Sequence, residues 1–507
     1  MAEPGFVAAL RDPRAFPHPC SHVRLIETHI SWVFLTGEYA YKLKKTLDLG
    51  FFDFGTLEKR RHYCEEECRC NSAFAPELYL GVVAVRLADD DRYHIGGAGR
   101  VVEYAVKMRQ FDDRKQLDRV LERNALTPAM LKRFARSLAA IYAALPPVPR
   151  YTGSAGADRI LAPMLENFLV LEGVAQARPY APGLTRVRDW TAAMHERLRA
   201  RFEERAVAGC IRERHGDLHL SNLVDTDEGI RAFDCVEFNP ELRMIDAISD
   251  IAFLFMDCSV RGRQDLAYSF LDSYLEATAD YPGACLLRFY AVYRSMVRAK
   301  VAALRLGQAF DQPTQRRLER HITWAGRTIS AVAPTVVLMC GPSGSGKSWL
   351  AERLASLLPG IRIRSDIVRR ERAPGSPPGK GTYTTAATEA VYTRLLALMR
   401  ELADVGEAVI VDATFLSAAK RAEFQGSAAA GGYECVVVQC EAPVHCLERR
   451  IAQRLASKAD PSEATSEVLH RQLEFFEPPR LDERTIRVET DREIDLADLV
   501  AKITGGA

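Results

Sequence analysis

The hydrophobic positions follow two different patterns along the chain. Near the N-terminus, residues 22–45 read as three short strands separated by tight turns. In the third strand, Tyr39–Lys44, side chains alternate between the faces, so Lys42 and Lys44 share one face. A helical pattern follows at about residues 57–73, and strands resume at Tyr79–Leu87 and Arg100–Gln110. Mainly helical patterns cover about residues 127–210 and 265–330.

The second pattern begins near residue 336, where apolar runs alternate with helical periods. Val336–Met339 reads as a buried strand, and the run Ala408–Val411 ends in Asp412. Alternation of strand and helix predicts an α/β domain with a mostly parallel sheet. Because Pro334 ends the preceding helical pattern, we place the boundary between domains 1–333 and 334–507 there.

Composition excludes some partners but names none. The 507 residues are 48% hydrophobic and carry a net charge of +1, so no global field attracts nucleic acid or anionic lipid. No apolar run approaches the ~20 residues of a membrane span. Twelve cysteines without disulfide-scaffold spacing fit reduced thiols, so we expect a cytoplasmic protein. Cys64 and Cys68 share a helical face near His62 and could seat a metal, but small buried thiols are the favoured interpretation.

The segment 341–348, GPSGSGKS, has the pattern and the strand-to-helix context of a phosphate-binding loop. Its glycines let backbone N–H groups turn toward phosphate oxygens at a helix N-terminus. Lys347 can reach the outer phosphates of a nucleotide, and the Ser348 hydroxyl can ligate Mg²⁺. The candidate nucleotide-binding residues are Gly341, Ser343, Gly344, Ser345, Gly346, Lys347 and Ser348. Asp412, at the end of a strand, faces the same crevice and is a further candidate for the metal site.

A second candidate centre is the segment 215–222, HGDLHLSN, followed by Phe233-Asp234. The spacing of Asp217, Asn222 and Asp234 is that of the catalytic loop in kinase-like phosphotransferases. In that template the first aspartate accepts the proton of the acceptor hydroxyl, and the other two residues hold magnesium. Asp246 and Asp250 follow at helical spacing, and we expect them to position the catalytic loop.

Residues 22 to about 300 resemble the aminoglycoside phosphotransferase family, whose fold is α+β and protein-kinase-like. The resemblance rests on HGDLHLSN, on AFDCVEF at 232–238 and on Asp250-Ile251-Ala252. It implies that Asp217 is the catalytic base and that Asn222 and Asp234 are metal ligands. It further implies that Lys42 binds phosphate with Glu67 as its helix partner, with Lys44 and Glu66 as alternatives. The family's glycine-rich loop is missing between the first two strands, where the sequence reads ETHIS.

The C-terminal part resembles the small P-loop kinases grouped with gluconate kinase, polynucleotide 5′-kinase and zeta toxins. The match of SDIVR at 365–369 implies that Asp366 activates the acceptor hydroxyl and that Arg369 steadies the substrate. Arg450 and Arg454 resemble the family's lid arginines, and Arg449 is an alternative to Arg450. The order of the two parts resembles that of fused bacterial proteins with an aminoglycoside-phosphotransferase-like and an ATP-binding part.

These patterns together predict two phosphotransferase domains in one chain, both using ATP and Mg²⁺. Each is expected to move the γ-phosphoryl group to a small-molecule hydroxyl acceptor, which the sequence does not identify. We expect no nucleic-acid partner other than, as an alternative, a polynucleotide end at the P-loop domain. Three alternatives stay open: a nucleotide-sensing N-terminal regulator, a P-loop ATPase or switch, and a toxin-like kinase of nucleotide sugars.

Overall fold

The computed structural model describes residues 3–48, 53–148, 155–330, 334–372, 384–457 and 464–505. The chain divides into two compact units. The first consists of Met1–Met130, Ala140–Ile160 and Arg199–Leu254, and the second of Leu131–Ala139, Leu161–Leu198 and Phe255–Ala507. A compact unit of this kind need not coincide with a domain that folds independently. The boundary at 333/334 therefore stays a prediction, and residues 331–333 lie outside the described part of the chain.

The first unit is organised around an antiparallel sheet of six described strands. The strands are β1 (Arg24–Glu27), β2 (Ser31–Leu35), β3 (Tyr39–Lys44), β4 (Tyr79–Leu87), β5 (Tyr93–Ile95) and β6 (Arg100–Arg109), with helices α1 (Gly5–Ala9) and α2 (Leu57–Asn71) around them. Their order in the sheet is β1-β2-β3-β6-β4-β5. Helix α2 begins where the Thr56 hydroxyl accepts a hydrogen bond from the Lys59 amide. Its buried Cys64 packs against Ala40 and Val106 of the sheet, which fixes the helix over β3.

Two small two-stranded sheets lie beside the predicted catalytic segments. The elements from residue 117 to residue 260 are α3 (Leu117–Glu122), α4 (Pro128–Ala144), α5 (Ala155–Gly173), α6 (Ala181–Val207), β7 (Ile211–Glu213), β8 (Leu223–Thr226), β9 (Gly229–Ala232), β10 (Met244–Asp246) and α7 (Ala247–Val260). Strand β8 pairs antiparallel with β9, and β7 pairs antiparallel with β10. The loop before β8 carries Asp217 and Asn222, and Asp234 follows β9.

The second unit contains a helical layer that precedes the P-loop in sequence. It includes α8 (Gln264–Thr278), α9 (Tyr281–Ala284), α10 (Leu287–Gln308) and α11 (Gln312–Thr328). Buried Val292 and Met296 of α10 share a core cluster with Leu318 and Ile322 of α11 and with Phe168 of α5. Side chains of α8 also form ion pairs with Arg362, so this layer and the P-loop segment belong to one compact unit.

The P-loop segment forms a parallel sheet of five described strands. The strands are β11 (Thr335–Cys340), β12 (Gly360–Arg364), β13 (Ala408–Asp412), β14 (Glu434–Glu441) and β15 (Thr485–Glu489), and the helices are α12 (Lys347–Leu357), α13 (Ser365–Arg372), α14 (Thr385–Asp404), α15 (Ala418–Ala430), α16 (Val444–Ser457), α17 (Ser466–Glu474) and α18 (Leu496–Thr504). The order β12-β13-β11-β14-β15 places β11 in the centre. Val337 and Met339 of that strand pack against Leu350 and Leu354 of α12.

The predicted fold classes are confirmed. The N-terminal region has an α+β, protein-kinase-like fold, in which a strand lysine faces a helix glutamate. The C-terminal region has an α/β P-loop fold whose pairings within the five-stranded sheet are all parallel. Within the described residues, no single helix has the length and apolar composition of a membrane span, although the bent pair Ala157–Gly173 and Ala175–Val207 passes both criteria jointly.

Candidate active sites

In the first unit, two lysines of β3 share one buried glutamate of α2. Lys42 Nζ donates to Glu67 Oε1 and Lys44 Nζ donates to Glu67 Oε2, each at 2.8 Å. Lys44 also pairs with Glu237, and the side chains of Lys44, Glu67 and Glu237 are almost fully buried. Burial alone raises the pKa of Glu67, but the two ammonium groups outweigh it and hold the pKa below its ordinary value. The stabilisation from Glu67 is therefore present above its unfolded pKa and is lost as the pH falls through the lowered value.

The two lysines have different surroundings, which separates the alternatives left open by the sequence. Lys42 is 12% exposed and its Nζ donates to Asp234 Oδ1 at 2.5 Å, whereas Lys44 is fully enclosed between Glu67 and Glu237. Glu66 instead pairs with Arg69 and Arg243, away from both lysines. Lys42 and Glu67 thus lie at the predicted site, and Lys44 serves the packing of α2 against the sheet.

Asp234 is held in an uncommon backbone conformation beside Lys42. Its φ of +61° lies in the left-handed region, which a non-glycine residue adopts only when its surroundings require it. The Asp234 amide donates to the Tyr79 hydroxyl at 3.0 Å, and the next amide, of Cys235, donates to Asn71 Oδ1 at 3.0 Å. Through these bonds β4 and α2 aim the carboxylate of Asp234 toward Lys42.

Asp217 and Asn222 are joined directly within the loop before β8. Asn222 Nδ2 donates to Asp217 Oδ2 at 2.9 Å and to the Asp217 carbonyl oxygen at 3.0 Å. His219 Nε2 lies 3.2 Å from the same Asp217 carboxylate oxygen. The Phe233 amide donates to the Asn222 carbonyl at 3.0 Å, which brings the residue before Asp234 against this loop.

Asp250 supports this loop from the helix that follows, as the sequence predicts. Its carboxylate accepts from the backbone amides of His215 at 2.8 Å and Gly216 at 2.9 Å, and from the Tyr142 hydroxyl at 2.7 Å. Gly216 needs its freedom here, because its φ is +84° and a Cβ would lie 2.8 Å from the Leu242 carbonyl oxygen. Asp246 instead forms a bidentate pair with Arg205 and lies one step further from the loop.

Sequence reasoning missed two residues of the first unit, Glu237 and Tyr79. Glu237 lies inside the segment AFDCVEF. The sequence offered one hint of its role, because Glu237 and the alternative lysine, Lys44, were both left without an assigned partner. Nothing in the sequence pairs Tyr79 with Asp234, because that contact joins residues far apart in the chain. Among the described residues, no group of three or more His, Cys, Asp or Glu side chains is placed to hold a metal, and Cys64 is buried in the sheet-facing cluster.

The phosphate-binding loop of the second unit depends on its glycines. Gly341, Gly344 and Gly346 all have φ between +81° and +137°. A Cβ on Gly341 would lie 2.5 Å from the Cys440 carbonyl oxygen, and one on Gly344 would lie 2.7 Å from that of Leu447. The loop is therefore enclosed by β14 and α16, and a side chain at either position forces the backbone to move.

Lys347, Ser348 and Asp412 converge at the end of the central strands. Lys347 Nζ donates to the Pro342 carbonyl at 2.7 Å, and burial lowers its pKa although Asp412 opposes that shift. Ser348 Oγ donates to Asp412 Oδ1 at 3.1 Å. A hydroxyl and a carboxylate oxygen side by side are the donors that Mg²⁺ prefers, so this pair fits a magnesium ion. In the first unit, the Asp234 carboxylate and the side-chain oxygen of Asn222 offer donors of the same kind.

A cleft of about 660 Å³ joins these residues to the other sequence-predicted ones in the second unit. Asp366 and Arg369, at the start of α13, line it together with Lys347 and Ser348. Arg450 and Arg454 line it as well, and Arg450 is anchored to the carbonyls of Gly344 and Thr490 at 3.2 and 2.8 Å. Arg449 is not among the lining residues and contacts Cys446, which favours Arg450 over it.

Comparisons with known proteins find one family model that matches the C-terminal region and relatives that match most of the chain. A family model described as an AAA domain matches residues 336–479. Uncharacterized protein Rv2004c of Mycobacterium tuberculosis and uncharacterized protein Mb2027c of Mycobacterium bovis are each 31% identical over 474 residues, covering 90% of this chain and 91% of the relative.

Two solved structures illustrate the structural similarities. Choline kinase from Cryptosporidium parvum Iowa II is 13% identical, covers 64% of this chain and 94% of its own, and has a TM-score of 0.39. The Mycobacterium tuberculosis APS kinase CysC in complex with AMPPNP and APS is 26% identical, covers 34% of this chain and 98% of its own, and has a TM-score of 0.27. At these TM-scores we draw no functional conclusion from either.

Replacing Lys44 with methionine is expected to destabilise the protein strongly. Lys44→Met leaves Glu67 and Glu237 buried with one cation fewer, and breaking such a pair costs about 3–5 kcal/mol. Chemical denaturation measures the change in the free energy of unfolding. Lys59→Met is the matched control, since Lys59 is about half exposed and pairs with exposed Asp53, and it should cost about 1 kcal/mol or less. Adding Glu237→Gln should recover part of the loss, and equal effects of the two lysine variants would contradict the assigned role.

Replacing Gly344 with alanine is expected to weaken nucleotide binding at the second unit by about tenfold or more. The substitution strains a positive-φ position by about 1–3 kcal/mol and pushes the loop away from Leu447. Gly426→Ala is the control, because Gly426 lies in α15 and a Cβ there meets nothing within 4 Å. Calorimetric titration with ATP compares the two, and wild-type affinity in a folded Gly344→Ala protein would show that this loop does not cradle the phosphates.

Proposed function

The chain belongs to the same protein family as uncharacterized protein Rv2004c of Mycobacterium tuberculosis, and we propose that it is a bifunctional ATP- and Mg²⁺-dependent phosphotransferase. Each centre moves the γ-phosphoryl group of ATP to the hydroxyl of a small acceptor. The observation that carries the proposal is that each compact unit contains its own candidate base, phosphate-binding lysine and oxygen donors for a metal. Among the described residues, the candidates named for one centre all differ from those named for the other.

In the first centre Asp217 is the proposed base for the acceptor hydroxyl. Asn222 Nδ2 and His219 Nε2 both lie at one of its oxygens, Oδ2, so the carboxylate is held in one orientation. A positioned base of this kind contributes on the order of 10²–10⁴ to the rate. Lys42 contributes positive charge toward the phosphates, and Glu67 fixes the position of its ammonium group.

In the second centre the amides of the loop 341–348 and Lys347 hold the phosphates. Asp366 takes the proton of the acceptor hydroxyl, Arg369 steadies the acceptor, and Arg450 and Arg454 compensate negative charge as the phosphoryl group moves. Magnesium, held by Ser348 and Asp412 here and by Asn222 and Asp234 in the first centre, neutralises phosphate charge when bound. Because positioning and charge neutralisation dominate phosphoryl transfer, this set of residues is sufficient for the chemistry.

The proposed acceptors are small molecules. A cleft of about 660 Å³ is in the usual range for small-molecule and cofactor sites, about 300–1,000 Å³. A net charge of +1 gives the protein no overall attraction to nucleic acid. Twelve cysteines without disulfide-scaffold spacing favour a reducing compartment, and we place the protein in the cytoplasm on that basis.

Asp366→Asn is expected to lower acceptor phosphorylation by the second centre by about 10²–10⁴-fold while ATP affinity changes little. The reason is that the proposed role of this carboxylate, on α13 in the lining of the cleft, is to take the proton of the acceptor and not to bind the nucleotide. Product formation from labelled ATP and calorimetric ATP binding measure the two quantities. An equal loss of ATP affinity would make Asp366 a nucleotide or metal residue instead.

The two centres are expected to be separable. Asp217→Asn should remove only the first activity and Lys347→Ala only the second, and the double variant should lose both, because independent sites act additively. ATP turnover is measured on wild type, both single variants and the double. If Lys347→Ala abolishes all turnover while Asp217→Asn is silent, the first centre senses nucleotide without turning it over. The reverse result makes the P-loop centre the passive partner.

A further inference from the structure

Two buried arginines lie behind the proposed metal residues of the second unit. Arg362 and Arg364 are two positions apart on β12 and therefore point to the same side of the sheet. Their side chains are only 3% and 5% exposed. Both approach Asp412 Oδ2, with Arg362 Nη1 at 3.4 Å and Arg364 Nε at 3.5 Å. Arg362 Nη1 also donates to the Ser348 carbonyl oxygen at 3.1 Å.

Helix α8 supplies the carboxylates that these arginines bind. Asp272 accepts from Arg362 in a bidentate pair, at 3.0 Å from Nε and 2.7 Å from Nη2. Glu276, one turn further along the helix, accepts from Arg362 Nη2 at 2.5 Å and from Arg364. Helix α8 precedes the P-loop by about 60 residues in the sequence, yet both belong to the same compact unit.

The distances show how the charge of the arginines is divided. Their bonds to Asp272 and Glu276 are short, whereas their approaches to Asp412 are at or beyond the limit of a hydrogen bond. Asp412 Oδ1 meanwhile accepts from Ser348 Oγ. Without the two acids, the guanidinium groups would need another carboxylate, and among the ion pairs of the described residues Asp412 is the one that both already approach. Closing on Asp412 Oδ2, they would turn the carboxylate away from Ser348 and neutralise the charge that a metal ion needs.

We propose that Asp272 and Glu276 are positioning residues for the magnesium site of the P-loop centre. They hold Arg362 and Arg364 back, so that Asp412 keeps its orientation toward Ser348 and its negative charge stays available to the ion. The inference rests on the proposed function of this centre. It assigns a role in the second centre to a helix that the P-loop pattern does not include.

The test measures binding rather than turnover, in the full chain carrying Lys42→Met to disable the nucleotide site of the first unit. A non-hydrolysable ATP analogue is titrated by calorimetry at increasing free Mg²⁺, for Asp272→Asn and for Glu276→Gln. The Mg²⁺ concentration for half-maximal tightening should rise about tenfold or more, as is typical when a group that supports a metal ligand is lost. Analogue affinity in EDTA should stay within about twofold, since the loop and Lys347 are untouched.

Asp265→Asn is the matched control, because Asp265 lies on the same helix and pairs only with nearby Arg263 among the ion pairs described. Its Mg²⁺ midpoint should equal that of the parent. A double variant, Asp272→Asn with Arg362→Gln, should be no worse than Arg362→Gln alone if Asp272 acts through that arginine.

The inference is overturned if the folded Asp272→Asn and Glu276→Gln proteins keep the parental Mg²⁺ midpoint. It is also overturned if their affinity in EDTA falls as far as their affinity in Mg²⁺, which would mean a general structural role. Thermal melting verifies folding, and Glu276→Gln, at the less buried position, decides the matter if Asp272→Asn does not fold. If the parent itself shows no Mg²⁺-dependent binding at the loop, the proposed function fails instead.

Discussion

Charge that has been removed from water must be paired, and this constraint organises both candidate centres. In the first unit Glu67 holds two lysines, and in the second Asp412 lies between a serine hydroxyl and two arginines. An unpaired buried charge is strongly destabilising, so each network has to be completed by other parts of the chain. The residues proposed to bind phosphate and metal are therefore kept in place by further charged side chains.

The two folds meet this constraint in different ways. In the first unit, side chains alternate along β3, so Lys42 and Lys44 lie on one face of the sheet. Helix α2 packs on that face and places Glu67 where it accepts hydrogen bonds from both lysines. Of these two lysines, Lys42 is partly exposed to solvent, whereas Lys44 is fully buried and pairs with Glu237. In the second unit, parallel strands bring their carboxyl ends to one edge, where Asp412 meets the first turn of α12. In both units, strand geometry and one helix determine where the charged side chains meet.

Much of this architecture could be predicted because its signals are local. The loop 341–348, the spacing of Asp217 and Asn222, and the alternation in β3 are each contained in a short stretch of sequence. The partners that complete the networks are not local. Tyr79 with Asp234, Lys44 with Glu237, and Arg362 with Asp272 join residues from different elements, and hydrophobic periodicity says nothing about which buried charges will meet. Strand periodicity also does not distinguish Lys42 from Lys44, which lie on one face of β3, and the difference in their burial is visible only in the structure.

The same distinction explains why a sequence motif and a compact unit have different bounds. The P-loop pattern begins at residue 336 and is a continuous stretch of strand, loop and helix. Such a pattern includes only residues that follow one another in the sequence. Arg362 and Arg364 lie inside that segment, but their counter-charges are on α8. Buried ion pairs are costly to break, so the acids of α8 are as much part of this unit as the strand that carries the arginines. The buried charge network of the second unit is thus encoded over a longer stretch than its motif.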